Sequence, residues 1–315
     1  MESINQFLNT IIQGNSLSLL QEMPNDCVDC VITSPPYWNL RDYRVSGQIG
    51  SEASFLEYLT TLLSVFNEVK RVLKPTGTCF VNLGDVYGGS GNGISKSPGK
   101  RNHLSTYANT QSRLLNSTQF SKCLLLLPER FAISMIDSGW ILRNQIIWHK
   151  PNQMPSGVTD RFVVDFEKVF FFVKQSINYF FNQQFEPYTT KINRWGGERL
   201  IASKASSRDI ETNQNTYRNR NLRPNPKGKS MRTVWSINTE PFRDAHFAVF
   251  PQNLVLRLVK AGCPEKGIVL DPFIGAGTTA LVAKKLNRHF IGFDLNPDYV
   301  ALARKRLNSE LGLFT

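Results

Sequence analysis

Gly267-Ile268-Val269-Leu270-Asp271-Pro272-Phe273-Ile274-Gly275-Ala276-Gly277-Thr278-Thr279 runs from an apolar strand into a glycine-containing turn, and the helical stretch 280–286 follows it. A second apolar run, 289–293, ends in Asp294, 23 residues beyond Asp271. Strand, glycine turn, helix and a second strand ending in an acid make a βαβ nucleotide-binding unit. The glycines let backbone approach a ligand, and the acid at the second strand end can bind ribose hydroxyls. The glycine spacing is shorter than G-x-G-x-x-G, so the Asp294 spacing carries much of the inference.

Working outward, the chain keeps alternating short apolar runs with amphipathic stretches, the pattern of an α/β fold around a mainly parallel sheet. Residues 27–32 read as a strand. Apolar residues at helical spacing (Phe55, Leu59, Leu62, Leu63, Phe66, Val69, Val72) predict a helix over 55–73. Lys74-Pro75-Thr76-Gly77 breaks it before a strand at 78–83. Helices are expected at 128–138, 253–261 and 297–311, and strands at 141–148 and 168–173.

The 315 residues are 41% hydrophobic and 11% aromatic, which excludes a chain too polar to fold. Five cysteines are an odd number in a chain too large to need disulfide staples, which points to a reducing compartment. Cys27 and Cys30 form a C-x-x-C, but they lie in an apolar run with no second pair of ligands, so they read as buried thiols and no metal site is expected. Neither a signal-peptide pattern nor an apolar run of 18 residues is present, so no membrane association is expected.

The formal charge is +12, from 37 Lys and Arg against 25 Asp and Glu, and it is local. Residues 88–122 hold five basic side chains and no acid; residues 191–232 hold eleven basic and three acidic ones. These two segments more than account for the whole excess. Both are rich in Gly, Ser, Asn and Thr and read as loop-like insertions. A polyanion is the partner such charge suits, through counterion release; two solvated loops are the alternative.

Upstream, Thr33-Ser34-Pro35-Pro36-Tyr37-Trp38 follows the first strand at the carboxyl end, where α/β sheets place their chemistry. Two prolines fix this backbone and have no N–H to occupy its carbonyls. Ser34 adds an acceptor, and Tyr37 an aromatic face on which a base can stack.

Residues 33–38 and 271–279 together strongly resemble the exocyclic-amino DNA methyltransferases, the bacterial and phage enzymes that methylate a base amino nitrogen. The order, catalytic loop first and cofactor glycines last, is that of their β group. Ile12-Gln13-Gly14-Asn15-Ser16, Arg71-Val72-Leu73-Lys74-Pro75-Thr76-Gly77, Trp148-His149-Lys150-Pro151-Asn152 and His246-Phe247-Ala248-Val249-Phe250-Pro251 extend the resemblance over most of the chain.

The resemblance implies a circularly permuted Rossmann-like S-adenosylmethionine-dependent methyltransferase fold: a mostly parallel seven-stranded sheet, helices on both faces, and basic loop-rich target-recognition insertions. The catalytic domain would comprise 1–185 and 233–315, with a target-recognition insertion at 186–232 and a flexible basic insertion at 86–122. S-adenosylmethionine would contact Asp271, Phe273, Gly275, Gly277, Thr278, Asp294, His246 and Phe250. Asn15, where many relatives have Asp, would lie near its adenine. Ser34, Pro35, Pro36 and Tyr37 would form the catalytic loop, with Ser34 Oγ and the Pro35 carbonyl accepting the N–H groups of a flipped base's amine while Tyr37 stacks on the base. Ser at position 34 favours cytosine-N4 over adenine-N6 as target. Arg194, Arg218, Arg220, Arg223, Lys227 and Lys229 would contact DNA. Double-stranded DNA is the implied partner, with a companion restriction endonuclease, in a bacterial cytoplasm, as monomer or homodimer. A non-catalytic DNA-binding module and an RNA or protein methyltransferase are the readings from other classes.

Overall fold

The computed structural model describes residues 4–43, 45–88, 120–188, 225–240 and 250–311. The chain divides into a large unit, 1–182 with 233–315, and a small one, 183–232.

The large unit is built on one eight-stranded sheet in the order β1-β10-β9-β2-β3-β5-β4-β8. Its strands are β1 (Thr10–Gln13), β2 (Val28–Thr33), β3 (Leu73–Leu83), β4 (Ile141–His149), β5 (Phe166–Val173), β8 (Val234–Ser236), β9 (Ile268–Asp271) and β10 (His289–Asp294). All neighbours pair in parallel except β5, which runs antiparallel to both β3 and β4. The sheet has one strand more than the seven the resemblance implies, and three-residue β8 lies at its β4 edge.

The helices are α1 (Ser16–Gln21), α2 (Phe55–Val72), α3 (Leu127–Asp137), α4 (Gln252–Gly262), α5 (Thr278–Lys285) and α6 (Pro297–Leu311). Helix α2 begins at a Ser-x-x-Glu cap: Ser54 Oγ accepts the Glu57 N–H. Its buried stripe, Tyr58, Leu59, Leu62, Val65, Phe66, Val69 and Val72, recurs at helical period and faces the sheet.

Strand alternation divides the core between the two faces of the sheet. Val31, Cys79, Val81, Phe170 and Phe172 pack with α2 and α3, where Phe66 meets Phe131 edge to face at 5.1 Å. On the other face Phe80 stacks on Phe171 at 4.7 Å, and α4 approaches so closely that a Cβ on Gly262 would lie 2.4 Å from the Phe80 ring. Both faces of the central strands are therefore covered, which is why they read as continuous apolar runs.

Strand β3 starts five residues earlier than expected. Leu73 pairs with Val28 and Thr78 with Cys30, so the Lys74–Gly77 stretch is bulged out of register. Pro75 falls in that stretch, where no ladder hydrogen bond is required of it. Strand β1 has no counterpart among the sequence expectations, because four residues are too few to display a period.

In the small unit, β6 (Phe185–Glu186) pairs antiparallel with β7 (Lys229–Ser230). Gly228, at φ +115°, makes the approach to β7, where a Cβ would lie 2.4 Å from the Glu186 carbonyl oxygen.

Candidate active site

The sheet order makes the site. Strands β2 and β9 are adjacent and parallel, Cys30 opposite Val269 and Val31 opposite Leu270, although their sequences lie at opposite ends of the chain. The connections leave in opposite directions from this pair, to β3 on one side and β10 on the other, and the crevice beyond such a switch point is where α/β sheets bind ligands. Residues 34–37 and 272–277 meet there.

The Ser34-Pro35-Pro36-Tyr37 turn is held from several sides. Tyr58 of α2 donates its hydroxyl to the Pro36 carbonyl at 2.9 Å. Trp38, buried, donates Nε1–H to the Glu52 carbonyl at 3.0 Å. The Tyr37 ring lies against Gly84, where an added Cβ would be 2.6 Å from its Cε2, so only glycine lets the ring sit there. The Tyr37 hydroxyl donates to Glu167 Oε2 at 2.7 Å and lies 3.4 Å from Ser34 Oγ. Burial, reinforced by the Glu167 carboxylate, pushes the phenol well above its ordinary range, so it stays a neutral donor.

On the cofactor side, Asp271 is buried and fully engaged. Oδ1 accepts from the Thr33 hydroxyl at 2.6 Å and the Phe273 N–H at 3.1 Å, and Oδ2 from the Thr279 hydroxyl at 2.7 Å. Burial raises its pKa to about 6 against the lowering effect of these donors. Asp271 thus organises the loop while lining the crevice. Asp294, at the end of β10, receives the Gly275 N–H on Oδ2 at 2.9 Å and the Asn296 N–H on Oδ1 at 2.8 Å. Burial raises its pKa too.

The two glycines have different tasks. Gly275, at φ +51°, has nothing within 4 Å of where a Cβ would stand, so a ligand can lie against bare backbone. Gly277, at φ +79°, caps α5 and faces Ala303, whose Cβ an added methyl would meet at 2.9 Å. It serves helix packing and is not among the residues lining the crevice. Thr278 is buried and accepts from Arg306 Nη1 at 2.9 Å. Asn15 lines the crevice, with its side-chain oxygen used as the α1 cap for the Leu17 and Ser18 N–H groups. Ser16 Oγ, 2.5 Å from the Pro272 carbonyl, ties α1 to the cofactor loop.

Ser34, Pro35, Pro36, Tyr37, Asn15, Asp271, Phe273, Gly275, Thr278, Asp294 and Phe250 border a single cavity of about 270 Å³. An acid placed for hydroxyls, apolar walls at Phe273, Ile274 and Phe250, and the open cradle at Gly275 fit S-adenosylmethionine. His246, Arg194, Arg218, Arg220 and Arg223 lie outside the described residues. Lys227 is exposed in the small unit, and Lys229 stands 3.5 Å from Glu186, which Arg232 also contacts at 2.6 Å.

Sequence reasoning missed Asn82, Glu167 and Tyr299 on the cavity wall and gave no role to Trp148 or Lys150. The Trp148–Asn152 motif was a signal for two of them. Asn82 and Glu167 sit in or beside apolar strands, where a lone polar residue at a strand end was the available clue. Among the described residues no group of three or more His, Cys, Asp or Glu could hold a metal ion, and no helix is long and apolar enough to cross a membrane.

A family model described as DNA methylase matches residues 28–305. Over 96% of its length the chain is 37% identical to the type II methyltransferase M.Cfr9I of Citrobacter freundii, covering 88% of that protein. It is 35% identical to M.SmaI of Serratia marcescens, covering 94% of this chain and 90% of that one. Among solved structures, the PvuII DNA methyltransferase (cytosine-N4-specific) superposes with a TM-score of 0.60 at 22% identity, over 94% of this chain and 85% of its own. A putative DNA modification methylase from Thermus thermophilus, complexed with S-adenosyl-L-methionine, does so with a TM-score of 0.56 at 22% identity, over 96% and 95%.

Proposed function

The chain belongs to the DNA methylase family, with S-adenosylmethionine as cofactor, and from that premise we propose that it methylates the exocyclic N4 amino group of cytosine in double-stranded DNA. The observation that carries the reading is Ser34 in the first place of the Ser-Pro-Pro-Tyr turn, sharing one cavity with Asp294 and Gly275. Serine there mostly accompanies cytosine-N4 targets in this family, and the fold relative named as cytosine-N4-specific supports the same choice.

Asp294 would hold the cofactor's ribose hydroxyls, Gly275 and Phe273 its nucleoside, and Thr278, Phe250 and His246 its methionine end. When bound, S-adenosylmethionine supplies an electrophilic methyl group on a sulfonium. The target amine is inside a duplex, so its nucleotide must be flipped out at a cost of a few kcal/mol. Tyr37, with its ring fixed against Gly84, offers a face for the extruded base. An exocyclic amine is a poor nucleophile because its lone pair is delocalised into the ring. Ser34 Oγ and the Pro35 carbonyl, each accepting one N–H, favour a tetrahedral nitrogen with its lone pair free. The residues' contribution is therefore orientation and electrostatics.

The segment 186–232, through Arg194, Arg218, Arg220, Arg223, Lys227 and Lys229, would hold the duplex, with 86–122 as a second arm. The relatives' type II designation supports a companion restriction endonuclease and a cytoplasmic site of action. Nucleoside analysis by mass spectrometry of DNA from a host expressing the protein tests the reading. N4-methylcytosine is expected, and N6-methyladenine alone would overturn the choice of base.

A further inference from the structure

Strand β5 is the reversed strand of the sheet, so its beginning, not its end, lies at the edge where β2, β3 and β4 finish. Glu167, its second residue, sits opposite Trp148 of β4 and within reach of Asn82 near the end of β3. A carboxylate is thereby delivered into the wall of the cavity beside Ser34 and Tyr37.

Its environment is not that of a surface ion pair. The Glu167 and Lys150 side chains are only 18% and 13% exposed, against 53% and 81% for the Asp160–Lys122 pair. A charge so far from water needs partners, and both carboxylate oxygens have them. Oε1 takes the Lys150 ammonium, which also stands 4.4 Å above the Trp148 ring. Oε2 takes the Tyr37 hydroxyl at 2.7 Å and Asn82 Nδ2 at 2.6 Å, and Asn82 Nδ2 is itself 2.8 Å from the Tyr37 oxygen.

The carboxylate fixes which way the Asn82 amide points. An acceptor-only group attracts the NH₂ end and repels the oxygen. Asn82 Oδ1 is consequently left buried with no hydrogen-bond partner, on a residue only 2% exposed that borders the cavity. An unpaired buried acceptor is costly, and what offsets it is on the nitrogen side, where Nδ2 meets Glu167 Oε2, the Tyr37 oxygen and, at 3.4 Å, Ser34 Oγ. Were the amide reversed, its oxygen would face the Glu167 carboxylate, and its contacts as a donor to the Tyr37 oxygen and to Ser34 Oγ would be lost.

We propose that Glu167, with Lys150 as its counter-ion, is the positioning residue of the target-base side: it holds the Tyr37 hydroxyl directly and orients Asn82 so that Nδ2 braces both the Tyr37 oxygen and Ser34 Oγ, the two groups the target base meets. The inference rests on the reading of the cavity as an amino-methyltransferase site.

The test is a double-mutant cycle on single-turnover transfer of labelled methyl groups to DNA, counted whichever base receives them. Glu167→Gln and Asn82→Ala should each slow transfer by roughly tenfold or more, as misplacement of reacting groups does. Because one acts through the other, the double variant should be within about twofold of the slower single variant. Equilibrium binding of S-adenosylmethionine should be unchanged in all three. Glu167→Gln/Lys150→Met removes both charges together, keeps melting close to wild type, and should still be slow. Rate losses that multiply in the double variant, or that track loss of cofactor binding or of melting temperature, overturn the inference. Label on adenine overturns the cytosine reading while leaving the cycle intact as a test of Glu167.

Discussion

The Thr33 hydroxyl donates to Asp271 Oδ1 at 2.6 Å, joining the ends of β2 and β9 across 238 residues of chain. With Thr279 on the other oxygen, one buried carboxylate holds catalytic loop, cofactor loop and helix α5 in register. The permuted order makes this junction necessary, since nothing local in sequence brings residues 34 and 275 together.

That carboxylate has a pH signature. Burial raises the Asp271 pKa from 3.8 to about 6, so folding favours its protonated form. Its contribution to stability is therefore full below 3.8 and is lost as pH rises to about 6, a change on the order of 3 kcal/mol. Asp271→Asn removes the titration. Thermal melts from pH 4 to 6.5 should show wild type losing ground to the variant as pH rises; a constant difference across that range would mean Asp271 titrates normally.

Ser34→Ala removes one of the two acceptors assigned to the target amine and touches nothing that holds the cofactor. Single-turnover methylation should fall by about 10²–10³-fold, the cost of losing a positioned polar group at the reacting centre. Cofactor affinity, measured by calorimetry, should stay at the wild-type value. Undiminished single-turnover transfer would remove Ser34 from the mechanism.

Gly275 and Gly277 should separate by phenotype. A methyl at 277 meets Ala303 at 2.9 Å and must adopt φ +79°, so Gly277→Ala should destabilise by about 2–3 kcal/mol. Gly275→Ala has free space, carries only the left-handed backbone cost of about 1 kcal/mol, and should lose cofactor affinity instead. Melting temperature read beside binding distinguishes the two; equal losses of both in both variants would refute the division of labour.

Sequence periodicity reached most of the sheet, because the central strands are apolar on both faces and the helices amphipathic. Motifs reached the two loops, because Ser-Pro-Pro-Tyr and the glycine turn carry their chemistry locally. Gly277 shows where motif reading stopped: it sits in the cofactor motif, yet its neighbour is Ala303, contributed by the last helix. Glu167 shows the same for side chains. Its importance comes from β5 running backwards, which sets its first residues beside Tyr37, and strand direction is decided by tertiary pairing rather than by any local pattern.

The basic segment carries the last prediction. Each Lys or Arg that neutralises a duplex phosphate releases counterions and adds about 0.9 to the slope of log affinity against log salt. Replacing Arg218, Arg220, Arg223, Lys227 and Lys229 by Ala should thus flatten that slope by up to about 4.5 if all five contact phosphates. Those that read bases instead would relax sequence preference more than the salt slope. Lys229 already stands 3.5 Å from Glu186, so part of its charge is committed inside the small unit, and its single replacement should change the slope least. Binding to cognate and unrelated duplexes over 50–200 mM salt, on the order of the range where such effects are largest, reads both quantities at once. Cofactor affinity should not move, because the residues assigned to the cofactor, Asp271, Phe273, Gly275 and Asp294 among them, lie in other stretches of the chain. A slope unchanged in the five-fold variant would make the segment a solvated loop and transfer the task of holding DNA to the other basic segment.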